Sequence, residues 1–139
     1  MITYLDASVI LRRLLQQPGP TLELGPTDET ISSSLAQVEC FRALDRLRLL
    51  GAMDEIAQVR SRTLVYQAFD SCEVLEPGEA VLERAAMPFP TSLKTLDAIH
   101  VATALVYREA TGNPIRMATH DRALARASLA MGLEVVGAA

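Results

Sequence analysis

At 139 residues, 50% of them hydrophobic, the chain has the material for one domain with a single core and is too apolar for a disordered tail. A net charge of −4, no Trp and 4% aromatic content exclude a strongly basic nucleic-acid binder and a base-stacking platform, so a polyanion would need a local basic patch, a metal or both. Cys40 and Cys72 lack a CxxC pairing and fit a reducing cytoplasm; no basic segment precedes Asp6 as in a signal peptide, and no run reaches the ~18 apolar residues of a membrane helix.

Ile2 to Leu5 favour a strand. Asp6-Ala7-Ser8 predicts a tight turn, and Val9, Ile10, Leu11, Leu14 and Leu15 recur at helical spacing behind a cap at Ser8 or Asp6. An acid there stands at the carboxyl end of a strand, where open α/β sheets place their ligands. A plain helix cap is the alternative. Pro18-Gly19-Pro20 and Gly25-Pro26 predict a loop, and Thr30 to Ser32 a short strand. Ser33 or Ser34 then caps a helix over Leu35 to Leu50, with Leu35, Val38, Phe41, Leu44 and Leu47 in one row and Gly51 as its stop. Glu39, in the second turn, can pair with Arg42 at i+3 or face Asp6 across a crevice.

Asp54 starts the next helix, with Ile56, Val59, Thr63 and Tyr66 on its apolar stripe. Cys72 to Leu75 predicts an edge strand, and Glu79 to Ala86 a short helix broken at Met87-Pro88-Phe89-Pro90. Thr95 is the expected N-cap of a helix buried on most sides, with Asp97 in its first turn. His100 reads as a hydrogen-bonded structural group, because a zinc site needs more His or Cys than the chain offers. Ile115 to Thr119 predicts a strand ended by His120-Asp121, followed by a helix from Arg122 to Met131, a stop at Gly132 and a last strand, Glu134 to Val136. Strand, hydroxyl residue, Asp and helix repeat the opening motif.

Strands alternating with helices imply an α/β domain with a mainly parallel sheet covered on both faces. Right-handed crossovers then put Asp6 and Asp121 on one edge, about 5 Å apart at the backbone if their strands are neighbours. Glu39 and Asp97 begin or nearly begin helices that can reach the same crevice. Four carboxylates meeting there repel unless a hard cation joins them, and carboxylates plus water suit Mg²⁺ or Mn²⁺ rather than zinc. Such an ion bridges a phosphate, activates water and stabilises the leaving oxygen, which points to phosphodiester or phosphoryl chemistry.

L-D-A-S at 5–8, E-x-x-R at 39–42, L-D-A-I-H-V-A-T-A at 96–104 and T-H-D at 119–121 resemble the PIN-domain family, most of all its VapC-type toxins of toxin–antitoxin pairs. The likeness runs from Met1 to about Val136, and D-A-I-H-V-A-T-A is its most specific part. It implies a three-layer α/β/α fold over a single domain, 1–139, and a Mg²⁺- or Mn²⁺-dependent endoribonuclease. It also implies a homodimer and a cognate antitoxin that inserts a segment near the acidic site. The family's catalytic and metal-binding acids fall on Asp6, Glu39, Asp97 and Asp121, and its hydroxyl residue on Thr119. Thr119 and Ser8 can orient carboxylates or contact phosphate. Arg12, Arg13, Arg42 and Arg46 are candidates for holding the RNA backbone, with solvated helix faces the equal alternative. Gly51 to Phe89 matches no motif and is a place where RNA choice can reside. A phosphatase of the haloacid-dehalogenase type, with Asp6 as nucleophile, is disfavoured because Ser8 stands where that family has a second Asp. A non-catalytic binding module is disfavoured by the presence of all four acids.

Overall fold

A computed structural model describes residues 1–137. The elements run β1 (Ile2–Leu5), α1 (Ala7–Leu14), β2 (Glu29–Ser33), α2 (Ser34–Leu49), α3 (Glu55–Asp70), β3 (Glu73–Leu75), α4 (Glu79–Ala85), α5 (Thr95–Thr111), β4 (Ile115–Ala118), α6 (Arg122–Ala130) and β5 (Glu134–Val136). The strands form one sheet in the order β3-β2-β1-β4-β5, and every pairing is parallel. β1 is central, with Tyr4 opposite Ile31 on one side and Met117 on the other. All four of its residues are buried, as a strand covered on both faces requires.

Successive side chains of β1 feed two cores, following the two-residue period of a strand. Ile2 and Tyr4 join Ile31, Val101, Leu105, Met117 and Leu124 beneath α5 and α6. Leu5 joins Val9, Ile10, Ala36, Cys40, Leu44, Val65 and Phe69 beneath α1, α2 and α3. The result is three layers. No helix among the described residues is long and apolar enough to cross a membrane.

Several expectations are corrected. Thr95 does not cap α5: Lys94 holds the N-cap position without a side-chain bond, and an ammonium cannot accept one. Ser8 lies inside α1, while Asp6 occupies the N-cap position and makes no capping bond. The row on α2 is only partly inward, since Ala36, Cys40 and Leu44 are buried and Val38 is 55% exposed. On α3 the stripe is reversed. Gln58, Val65 and Phe69 face the core, whereas Ile56, Val59 and Tyr66 are exposed. Helical periodicity shows which residues share a face; what covers that face depends on the neighbouring layer.

Candidate active site

The adjacency of β1 and β4 brings the ends of two distant segments together. The Asp6 amide donates to the Ala118 carbonyl at 3.0 Å, and the Thr119 amide to the Val136 carbonyl at 3.1 Å. The side chains past these strand ends are then tied to one another. Ser8 Oγ and Thr119 Oγ1 both donate to Asp6 Oδ2, at 2.7 and 2.8 Å. Each hydroxyl also accepts a backbone amide, Ser8 from His120 at 2.9 Å and Thr119 from Asp121 at 3.0 Å. Asp6 is only 5% exposed, so this satisfaction of one oxygen by two donors fixes how its carboxylate presents the other.

The remaining acids come from three helices. Asp121 caps α6, its Oδ1 accepting from the Leu124 amide at 3.0 Å, and is exposed. Asp97 stands in the first turn of α5. Glu39 reaches across from α2, and its Oε1 accepts from His100 Nε2 at 2.5 Å. That nitrogen lies 3.8 Å from Asp6 Oδ1. The Asp97 carboxyl is pushed up to about 6, by its own burial first and then by the charges of Asp121 and Asp6; His100 opposes this, and Glu39 adds to it. Asp97 thus lies within electrostatic reach of the other three acids. Carboxylates that range from the buried Asp6 to the exposed Asp121, with no Lys or Arg paired to them among the described residues, have the chemistry of a hard divalent cation site, since oxygen ligands of this kind suit Mg²⁺ or Mn²⁺.

The site is not made of carboxylates alone. His100 is fully buried, and its Nδ1 lies 2.6 Å from the Tyr4 hydroxyl. Burial opposes charge on the ring, yet the Glu39 hydrogen bond and the Asp6, Glu39 and Asp97 charges outweigh it and raise its pKa. Burial, followed by the Asp6 charge, raises the Tyr4 hydroxyl well above its ordinary value. Tyr4 was legible from the sequence only as a strand residue. Its offset is the signal that could have found it, because two residues before Asp6 means the same face of β1. In the same way His100 is three residues after Asp97, on the same face of α5.

The arginines divide differently from expectation. Arg42 pairs with Asp45 at 3.1 Å and not with Glu39. Arg12 donates to the Pro20 carbonyl and meets His120 Nδ1, both at 3.1 Å, pinning the loop after α1 to the strand end. Arg13 and Arg46 are exposed. An apolar cleft of about 330 Å³ between α1, the loop that follows it and α3 contains none of the four acids.

Comparison with known proteins bears on the family and the fold. A family model described as PIN domain matches residues 3–129. The chain is 29% identical over 136 residues to Ribonuclease VapC46 of Mycobacterium tuberculosis (strain ATCC 25618 / H37Rv), covering 96% of this chain and 95% of that protein. The fold is similar to that in the crystal structure of VapBC2 from Rickettsia felis bound to a DNA fragment from their promoter, with TM-score 0.65, 11% identity and 97% of each chain covered. It is also similar to a toxin-antitoxin complex from Klebsiella pneumoniae, with TM-score 0.58, 18% identity, and 88% of this chain and 90% of that one covered. With the family model spanning nearly the whole sheet and its acidic edge, the chain belongs to the PIN domain family.

Proposed function

We propose that this protein is a divalent-metal-dependent endoribonuclease of the VapC type, the toxin of a toxin–antitoxin pair. The observation that supports the reading is the approach of Asp6 and Glu39 around His100, whose donor atoms lie within 4.8 Å of one another, with the Asp97 carboxyl raised by burial and then by the charges of Asp121 and Asp6. The relative named a ribonuclease and the structural neighbours from toxin–antitoxin assemblies support the substrate class and the partner.

Asp6, Asp97, Asp121 and Glu39 would hold Mg²⁺ or Mn²⁺. When bound, such an ion stabilises charge on the scissile phosphate and makes a water molecule more acidic. The chain's residues do the positioning. Ser8 and Thr119 fix the Asp6 carboxylate by holding one of its oxygens. The α6 cap fixes Asp121. Glu39 orients the attacking water for in-line displacement at phosphorus, and the leaving oxygen departs on the opposite side. Arg46 and Arg13 are exposed and remain candidates for the RNA backbone, Arg13 at the rim of the apolar cleft, whereas Arg12 and Arg42 already have partners.

The outward apolar residues suit protein partners. Ile56, Val59 and Tyr66 on α3, with Val38 on α2, form exposed apolar surface, which fits a homodimer and an antitoxin contact. The experiment that tests the function is incubation of purified protein with labelled RNA in Mg²⁺, in Mn²⁺ and in EDTA, beside a chromogenic phosphate monoester. Cleavage of RNA alone, and only with metal, is expected. Hydrolysis of the monoester alone, or undiminished cleavage in EDTA, overturns the reading.

A further inference from the structure

A buried line of polar groups reaches Glu39 from the middle of the sheet. Tyr4 and His100 are both 0% exposed, and the Tyr4 hydroxyl meets His100 Nδ1 at 2.6 Å. The other ring nitrogen, Nε2, meets Glu39 Oε1. An ionised carboxylate only accepts, so Nε2 carries a proton whatever the charge on the ring. In the neutral imidazole the lone pair then sits on Nδ1, where the Tyr4 hydroxyl donates to it. Neither nitrogen turns a lone pair toward the crevice. Donor atoms of Asp6, Glu39 and His100 all lie within 4.8 Å of one another, the spacing of a mixed nitrogen–oxygen metal site. The hydrogen bonds decide against that arrangement, because both nitrogens are already engaged.

We propose that His100 is a positioning residue and not a metal ligand: clamped by Tyr4, it holds the Glu39 carboxylate toward Asp6 and leaves the crevice an all-oxygen site. The inference rests on the metal-dependent reading of that crevice. Glu39 needs such a holder. Its side chain is 28% exposed and rotates about three bonds, so without a fixed partner it loses orientation to solvent. The holder also comes from the opposite layer. Glu39 stands on α2 and His100 on α5, so their bond ties the two helical layers together over the sheet edge. Tyr4 completes the device by engaging the other ring nitrogen and so fixing the orientation of the imidazole, as outer partners of metal ligands commonly do.

Two substitutions separate the two nitrogens. In His100→Gln the amide nitrogen reaches the Nε2 position and still donates to Glu39. In His100→Asn the shorter side chain reaches only the Nδ1 position and touches Tyr4 alone. Mn²⁺ is titrated into the metal-free parent, into both variants and into Tyr4→Phe, with binding followed by electron paramagnetic resonance and folding checked by thermal melts. Pulsed spectra of the loaded parent report any directly bound nitrogen. We expect none. His100→Asn should weaken Mn²⁺ binding by about tenfold or more, and His100→Gln should stay within about threefold of the parent. Tyr4→Phe, which like His100→Gln keeps the Glu39 bond and loses the contact at Nδ1, should also stay within about threefold of the parent. A directly coordinated nitrogen, or equal affinities in the Asn and Gln variants, overturns the inference while leaving the metal site in place. A parent that binds no Mn²⁺ removes both. The parent spectrum decides ligation even if a substitution at this buried position unfolds the chain.

Discussion

Thr119 donates its hydroxyl hydrogen to Asp6 Oδ2 at 2.8 Å, joining residues 113 positions apart in the chain. The same oxygen of Thr119 accepts the Asp121 amide at 3.0 Å. One buried hydroxyl therefore sets the attitude of two acids. Thr119→Val keeps the shape and removes both bonds, leaving a buried carboxylate oxygen short of a donor. We expect a loss of about 1–3 kcal/mol in urea unfolding together with reduced RNA cleavage, and Thr119→Ser should restore both. A Val variant as stable and active as the parent would show that the hydroxyl does not organise the site.

The pH dependence of metal-free stability follows from Asp97. Its folded pKa, about 6, stands above its ordinary 3.8, so the unfolded chain releases this proton at lower pH than the folded one. The group therefore destabilises the fold, by nothing below about pH 4 and fully above about pH 6. Stability in EDTA should fall across that window. The carboxylate is partly open to solvent, which reduces the effect to on the order of 1–2 kcal/mol. Asp97→Asn should flatten this part of the profile, hold or raise the melting temperature near neutrality, and abolish cleavage. Melts of parent and variant from pH 4 to 8 check the sign; an Asn variant less stable at pH 7 in EDTA refutes it.

Asp121 separates from Asp97 in the same assay. It caps α6 through the Leu124 amide, so its carboxylate has a structural use beside the metal-binding role proposed for it. Asp121→Ala should cost about 1 kcal/mol, whereas Asp121→Asn, which can still cap, should leave the metal-free fold near the parent. Both should fail to cut RNA. An Asn variant with parental cleavage would remove Asp121 from the site.

Metal should raise the melting temperature of the parent and do little for Asp97→Asn or Asp121→Asn. At a free concentration of about 100 times Kd, binding to the folded state alone adds about 2.7 kcal/mol. Differential scanning calorimetry in EDTA and in Mn²⁺ measures the difference. Equal shifts in parent and variants would place the metal elsewhere.

The outward stripe of α3 predicts a contrast within one helix. Val65 is fully buried, and Val65→Ala should cost about 2 kcal/mol, whereas Val59→Ser on the exposed face should stay within about 0.5 kcal/mol. Multi-angle light scattering of the parent is expected to show a homodimer at micromolar concentration. A monomer there would leave the apolar face to the antitoxin alone.

Periodicity and punctuation in the sequence determined the order of elements, because each signal is local. Ile2–Leu5 reads as a strand from its own residues, Ser33 and Asp54 cap the helices that follow them, and alternation with helices requires a parallel sheet. The placement of Asp6 and Asp121 just past strand ends, and of Asp97 in a first helical turn, was legible too. Burial of α3 was not, since a stripe of Ile56, Val59 and Tyr66 looks the same whether the next layer covers it or solvent does. Nor could the sequence assign partners to side chains that can pair with several groups. Glu39 had Arg42 one turn away, yet the fold brought it His100, 61 residues on, and gave Arg42 to Asp45. Hydrogen-bond partners depend on which strands and helices become neighbours. Those neighbours are set by burial on both faces of the sheet, where Tyr4 and Leu5 enter opposite cores with residues from distant elements, and that is a property of the whole chain.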